Sequence, residues 1–289
     1  MNIYASYNCN MHCKFCSLHK MKGDIISLKW IEEQLRKYPI LASDINILGG
    51  EPSILPIDYQ YELIDICTKA QGEKPYYITN LLHISPAIAK TRPIISYDFN
   101  LRPSYKKVLN NMMSLDIPYA MSSILTDNLV ENVGVKKFIN FIDKMQNIYR
   151  VDLLLYRSGL TEYDNTPEHA KLMDFVKQVM YHHKINLTPL SSMKKEIDNS
   201  FNNISSRIGL LPGNKFGVRI DYNQKSYTPF DSFEEAILYL DMRIKEIEQS
   251  MPCKNCKFLG RCWCVGGYEE GICHGDKKMM EFFEKCLSI

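Results

Sequence analysis

Short apolar, β-favouring runs alternate along most of this 289-residue chain with stretches whose apolar residues recur at helical spacing. IYASY (3–7), DINILGG (44–50), PYYIT (75–79), IISYDF (94–99), PYAMSSIL (118–125) and RVDLLLY (150–156) read as strands. Between and after them, SLKWIEEQLRKY (27–38), DYQYELIDICTKA (58–70), SYKKVLNNMMSL (104–115), LVENVGVKKFINFIDKM (129–145) and PEHAKLMDFVKQVMYHH (167–183) read as helices. Ser27 is placed to cap the first, and Pro167 suits the first turn of the last. Six strands in order, with helices between and after them, predict a parallel sheet covered by helices. Right-handed crossovers would curl that sheet into a barrel or partial barrel, with ligands at the carboxyl ends of its strands. The expected architecture is therefore α/β, a partial (β/α)6 barrel over residues 1–190. Residues 191–215 are polar and read as a linker. Residues 216–289 form a small C-terminal unit. It opens with a hairpin, FGVRIDYNQKSYTPF (216–230), turning at Asn223-Gln224, and continues with an amphipathic helix over 232–249.

Ten cysteines are the second constraint, because they cluster. Cys9, Cys13 and Cys16 stand at the start, and Cys253, Cys256, Cys262, Cys264, Cys273 and Cys286 at the end. Only Cys67 lies between, on the apolar face of a predicted helix, where it reads as a small buried hydrophobe. The N-terminus lacks a charged region followed by an apolar run, so no signal peptide is expected, and a reducing, cytoplasmic setting is. Clustered cysteines there point to metal or redox chemistry. The net charge of +2 gives no case for a nucleic-acid partner, and no apolar stretch is long enough to span a membrane.

Cys9, Cys13 and Cys16 form C-x3-C-x2-C directly after the first strand, on a loop at the carboxyl end of the sheet. Three thiolates so close suit an iron–sulfur cluster with one iron left open. Zinc, with His12 or His19 as a fourth ligand, is the alternative from spacing alone. The loop resembles the signature of the radical S-adenosylmethionine (SAM) superfamily. The turn Gly49-Gly50-Glu51-Pro52 after the second strand resembles that family's GGEP turn. The resemblance implies a [4Fe-4S] cluster on Cys9, Cys13 and Cys16, with SAM bound to it. Phe15 would pack near the adenine, and the backbone of Gly49 and Gly50, together with Glu51, would face the methionine amino group. Thr79-Asn80 resembles the family's Thr-Asn. Ser96-x-Asp98 resembles its Ser-x-Asp, with Ser96 against the SAM carboxylate or ribose. Ser122, Ser123 and Arg157 are expected at the same mouth, the first of them and Arg157 as cofactor contacts. The arginine carried by the related sulfatase maturases has no evident counterpart, since Arg102 falls too close to Ser96.

The tail reads C-x2-C-x5-C-x-C-x8-C, with Cys286 beyond. It resembles the SPASM or twitch extension that carries auxiliary iron–sulfur clusters, with x1 where x3 is usual and Phe230 where the preceding hairpin carries a cysteine. The resemblance implies one auxiliary cluster, expected to be [4Fe-4S], on Cys253, Cys256 and Cys262. Cys273 would be its fourth ligand, with Cys264 or Cys286 as alternatives. Of the thiols left over, Cys264 and Cys286 are candidate hydrogen-atom donors, and a zinc knuckle is the competing structural reading. The implied activity is reductive cleavage of SAM to a 5′-deoxyadenosyl radical that takes a hydrogen atom from a substrate. That substrate class is a ribosomally made peptide to be crosslinked, epimerised or oxidised. A small molecule, or a partner enzyme that receives a glycyl radical, is the alternative. An electron donor such as flavodoxin or ferredoxin is implied.

Overall fold

The computed structural model describes residues 1–16, 18, 21, 24–155, 165–187, 207–218 and 227–249, together with residues 256, 268–269, 272–273 and 281. Seven parallel strands follow the chain in order across one sheet: β1 (Asn2–Tyr4), β2 (Asn46–Leu48), β3 (Tyr76–Thr79), β4 (Arg92–Ser96), β5 (Tyr119–Leu125), β6 (Ile148–Leu155) and β7 (Ile185–Leu187). On the other side of β1 lies β8 (Ile208–Leu211), also parallel to it, pairing Asn2 with Gly209 and Ile3 with Leu210. β9 (Lys215–Val218) and β10 (Thr228–Phe230) extend that side in antiparallel register. The sheet is open, in agreement with the partial barrel expected from the βα alternation.

Five helices pack on the outer face: α1 (Leu28–Lys37), α2 (Ile57–Gln71), α3 (Tyr105–Ser114), α4 (Gly134–Lys144) and α5 (His169–Val179). Their apolar stripes, such as Ile31 and Leu35, Leu63 and Ile64, Val108 and Met112, or Phe138 and Ile142, meet Ile3, Ile47, Tyr77, Ile95 and Met121 of the strands in one core. Ser27 caps α1 by accepting the Trp30 backbone N–H at 3.4 Å. Tyr4 points to the opposite, inner face and packs with Tyr7, Leu211 and Tyr227.

The link from β3 to β4, where the sequence pattern marks no helix, holds a short 3-10 helix (Pro86–Lys90). Two features depart from the sequence pattern. The stretch expected as one helix over 129–145 is a π-helix (Asn128–Val133) followed by α4, broken where Gly134 adopts φ +71°. The segment expected as a linker ends in β8, a buried strand of the main sheet, which turns into β9 through Gly213 and Asn214, both at positive φ. β9 and β10 pair as the expected hairpin, and its turn lies outside the described residues. The expected C-terminal helix is α6 (Phe233–Gln249). Its Phe233 packs on Tyr38, the C-cap of α1, and on Phe216 of β9, with ring centroids 4.2 and 5.7 Å away. Among the described residues no helix is long and apolar enough to cross a membrane.

Candidate functional site

At the carboxyl ends of β1 to β4 lies a cavity of about 140 Å³. Its wall includes Cys9, Cys13 and Cys16 from the loop after β1, and Gly49, Gly50 and Glu51 from the turn after β2. Thr79 and Asn80 at the end of β3, Ser96 at the end of β4, and Arg102 also line it. Cys13 is buried, while Cys9 and Cys16 are half-buried. The loop is held by its own backbone, the Cys16 N–H donating to the Cys13 carbonyl at 3.0 Å. Two side chains from elsewhere reach its sulfurs: Asn80 Nδ2 stands 3.7 Å from Cys9 Sγ, and Arg102 Nη1 stands 3.8 Å from Cys13 Sγ. Burial pushes the Cys9 and Cys13 thiols above the ordinary cysteine value, and at Cys13 the Arg102 charge works in the other direction.

The glycine turn owes its composition to backbone packing. A Cβ on Gly49, which sits at φ +140°, would fall 2.2 Å from the Ser6 carbonyl oxygen. A Cβ on Gly50 would fall 2.0 Å from that of Asn8. The Gly50 and Glu51 N–H groups donate to those same two carbonyls at 2.7 and 2.8 Å. The turn is thus clamped onto the cysteine loop by these two N–H groups.

Glu51 is equally committed. Its carboxylate, 2% exposed, accepts from the Ser53 N–H at 3.0 Å, the Thr79 hydroxyl at 2.7 Å and the Asn80 N–H at 2.6 Å. It lines the cavity as the tie between two strand ends, with Thr79 as its partner. Asp98 does not line the cavity; its carboxylate accepts from Arg102 Nε at 2.5 Å and the Ile124 N–H at 2.7 Å. Ser96 does line it, half-buried. Ser122 is the register partner of Ser96 on β5 but is not part of the cavity wall, and Ser123 is buried against Asp98. Phe15 lies under the Arg102 guanidinium, 5.1 Å from ring centroid to guanidinium carbon. Arg102 is the cavity residue that sequence reading passed over. Its distance from Ser96 along the chain is closed in space by the 3-10 helix Phe99–Leu101.

The donor set fits an iron–sulfur cluster in kind: three thiols on one cavity wall, with a hydrogen-bond donor or a cation beside two of them. Among the described residues no three His, Cys, Asp or Glu side chains converge on a single-ion site. A mononuclear zinc site draws its ligands in to about 2.3 Å from one point, whereas a cluster takes each cysteine to a separate iron. Of the tail cysteines, Cys256 is half-buried and Cys273 lies in β12 (Ile272–Cys273), paired with β11 (Tyr268–Glu269). Cys253, Cys262, Cys264 and Cys286, like Arg157, lie outside the described residues.

No family model matches this sequence, and no curated protein matches it. Among solved structures, the chain is similar to native anSMEcpe with bound AdoMet and Cp18Cys peptide (TM-score 0.70) and to the same protein with Kp18Cys peptide (0.69). A histidine-tagged form of anSMEcpe with bound AdoMet follows at 0.67. Each is 14% identical, and the matches cover 99% of this chain and 96% of that chain. A likeness at that identity is one of architecture, and the chain has the partial-barrel α/β fold of the radical SAM type.

Proposed function

We propose that this protein is a radical SAM enzyme that modifies a ribosomally made peptide. The observation that carries the reading is the meeting of the C-x3-C-x2-C thiols, the glycine turn, Thr79-Asn80 and Ser96 around one cavity at the carboxyl ends of the strands. Cys9, Cys13 and Cys16 would hold the [4Fe-4S] cluster. Bound there, the cluster would supply the one electron that splits SAM into methionine and a 5′-deoxyadenosyl radical, which would take a hydrogen atom from the substrate. The chain's own part is to place and shield. Glu51 and the clamped glycines fix the cysteine loop against β2 and β3. Asn80 orients toward Cys9. Ser96 offers a half-buried hydroxyl to the SAM carboxylate or ribose. Buried Tyr7 and Met11, with half-buried Leu48, line the same cavity and keep it shielded from bulk water, which strengthens the electrostatic contacts inside.

The peptide class draws support from the similar structures that hold peptides. A small molecule is the alternative substrate. The spacing of Cys253, Cys256, Cys262 and Cys273 supports one auxiliary cluster, with Cys264 and Cys286 available as hydrogen donors, and flavodoxin or ferredoxin is the class of electron donor.

The test is anaerobic reconstitution with iron and sulfide, then dithionite and SAM, with iron and 5′-deoxyadenosine measured. The wild type is expected to hold about eight irons, as two four-iron clusters, and to release 5′-deoxyadenosine. The C9A/C13A/C16A variant is expected to hold about four and release none. Iron-loaded wild type that forms no 5′-deoxyadenosine, or a triple variant that still does, overturns the reading.

A further inference from the structure

Arg102 is the one cationic side chain among the described residues lining the cavity, and the fold is arranged to put it there. Its Nε is held at 2.5 Å by Asp98 Oδ2, and its Nη1 is left facing Cys13 Sγ at 3.8 Å. Asp98 is itself fixed, 3% exposed, by the Ile124 N–H at 2.7 Å and the Ser123 hydroxyl at 3.4 Å, both from β5. The turn from Asp98 to Arg102 requires Phe99 at φ +51°, a region that a bulky residue enters rarely. The Phe99 ring packs there against the stacked pair Tyr97 and Phe141, with centroids 5.1 and 5.2 Å away. A guanidinium stays charged in proteins, and Asp98 beside it is its counter-charge.

We infer that Arg102, oriented by Asp98, is a positioning residue that raises the reduction potential of the iron–sulfur centre on the cysteine loop by hydrogen bonding to the Cys13 sulfur. The inference rests on the reading proposed above. Reducing such a centre adds one negative charge beside Cys13. A fixed cation in contact with that sulfur, in surroundings of low dielectric, favours the reduced form, and hydrogen bonds to cluster sulfurs act in the same direction. Asp98 takes the Nε edge of the guanidinium and leaves Nη1 to the sulfur, and at Cys13 the Arg102 charge outweighs that of Asp98.

The experiment is an anaerobic redox titration of the reconstituted full chain, followed by electron paramagnetic resonance, with the C9A/C13A/C16A spectrum subtracted to remove any tail centre. Arg102→Gln is expected to lower the reduction equilibrium at least tenfold, about 59 mV more negative for one electron. Arg102→Lys keeps the charge but loses the planar fork, and is expected to fall between the two. Because Arg102→Gln leaves Asp98 buried and unpaired, the double variant Asp98→Asn/Arg102→Gln is titrated beside it, and a shift in the same direction is expected. Neutral variants that load iron and keep the wild-type potential overturn the inference while leaving the reading of the site intact. A wild type that shows no signal removed by the triple variant overturns both.

Discussion

Glu51 Oε2 accepts the backbone N–H of Asn80 at 2.6 Å, which ties the turn after β2 to the end of β3. The other oxygen accepts from Thr79 and Ser53, so the carboxylate is a buried junction of three donors. Glu51→Gln replaces one acceptor with an NH2 group that faces an N–H or O–H donor. The expected cost is about 2 kcal/mol of stability. The same loss is expected in the C9A/C13A/C16A background, which isolates the structural role from any contact with a bound group; urea unfolding of the four proteins measures it.

The two glycines of the turn, of which Gly49 is at positive φ, should be intolerant for a reason that glycines such as Gly72 do not share. Gly49→Ala and Gly50→Ala drive a methyl into the Ser6 and Asn8 carbonyls and must displace the cysteine loop. Gly72, at φ +80° as the C-cap of α2, has no atom within 4 Å of where its Cβ would stand. Gly72→Ala is expected to cost about 1 kcal/mol from conformation alone. Gly49→Ala and Gly50→Ala should cost at least twice that and lower iron retention, readable by denaturation and iron content.

The cysteines should separate by accessibility in the iron-free protein. Cys67 is fully buried in α2, and burial pushes its thiol well above the usual range. Alkylation with iodoacetamide at pH 8, followed by peptide mass spectrometry, is expected to label Cys9 and Cys16, which are half-buried, before Cys67. Cys67 should react only once the chain is unfolded.

Tyr97 provides a pH signature. Burial, and next the neighbouring Tyr105, push its phenol from 10.0 up to about 12. The folded state therefore keeps a proton that the unfolded chain releases near pH 10, so stability is full below pH 10 and falls between about pH 10 and pH 12. Tyr97→Phe removes that contribution. Denaturation midpoints at pH 9 and pH 11 should fall less steeply for Tyr97→Phe than for the wild type.

The helices and the first six strands were legible because each is marked by a local period, and the C-x3-C-x2-C loop and glycine turn because each is a short contiguous string. β7 and β8 were not: Ile185–Leu187 and Ile208–Leu211 are too brief to show alternation, and β8 is a strand because β1 offers it a partner. The glycine turn is legible as a string, but not the packing behind it, in which the places of both Cβ atoms are taken by the Ser6 and Asn8 backbone. Arg102 was passed over because its place depends on the backbone at Phe99, a conformation that sequence spacing does not encode.

β1 lies between β2 and β8, so the strand that launches the cysteine loop completes its second hydrogen-bonded edge only with a segment from the far end of the chain. During synthesis that edge stays open until Ile208–Leu211 has left the ribosome, although β1 emerges first. The strand beneath the cysteine loop is thus finished late, and a nascent chain stalled before β8 carries its cysteines on an unsealed template.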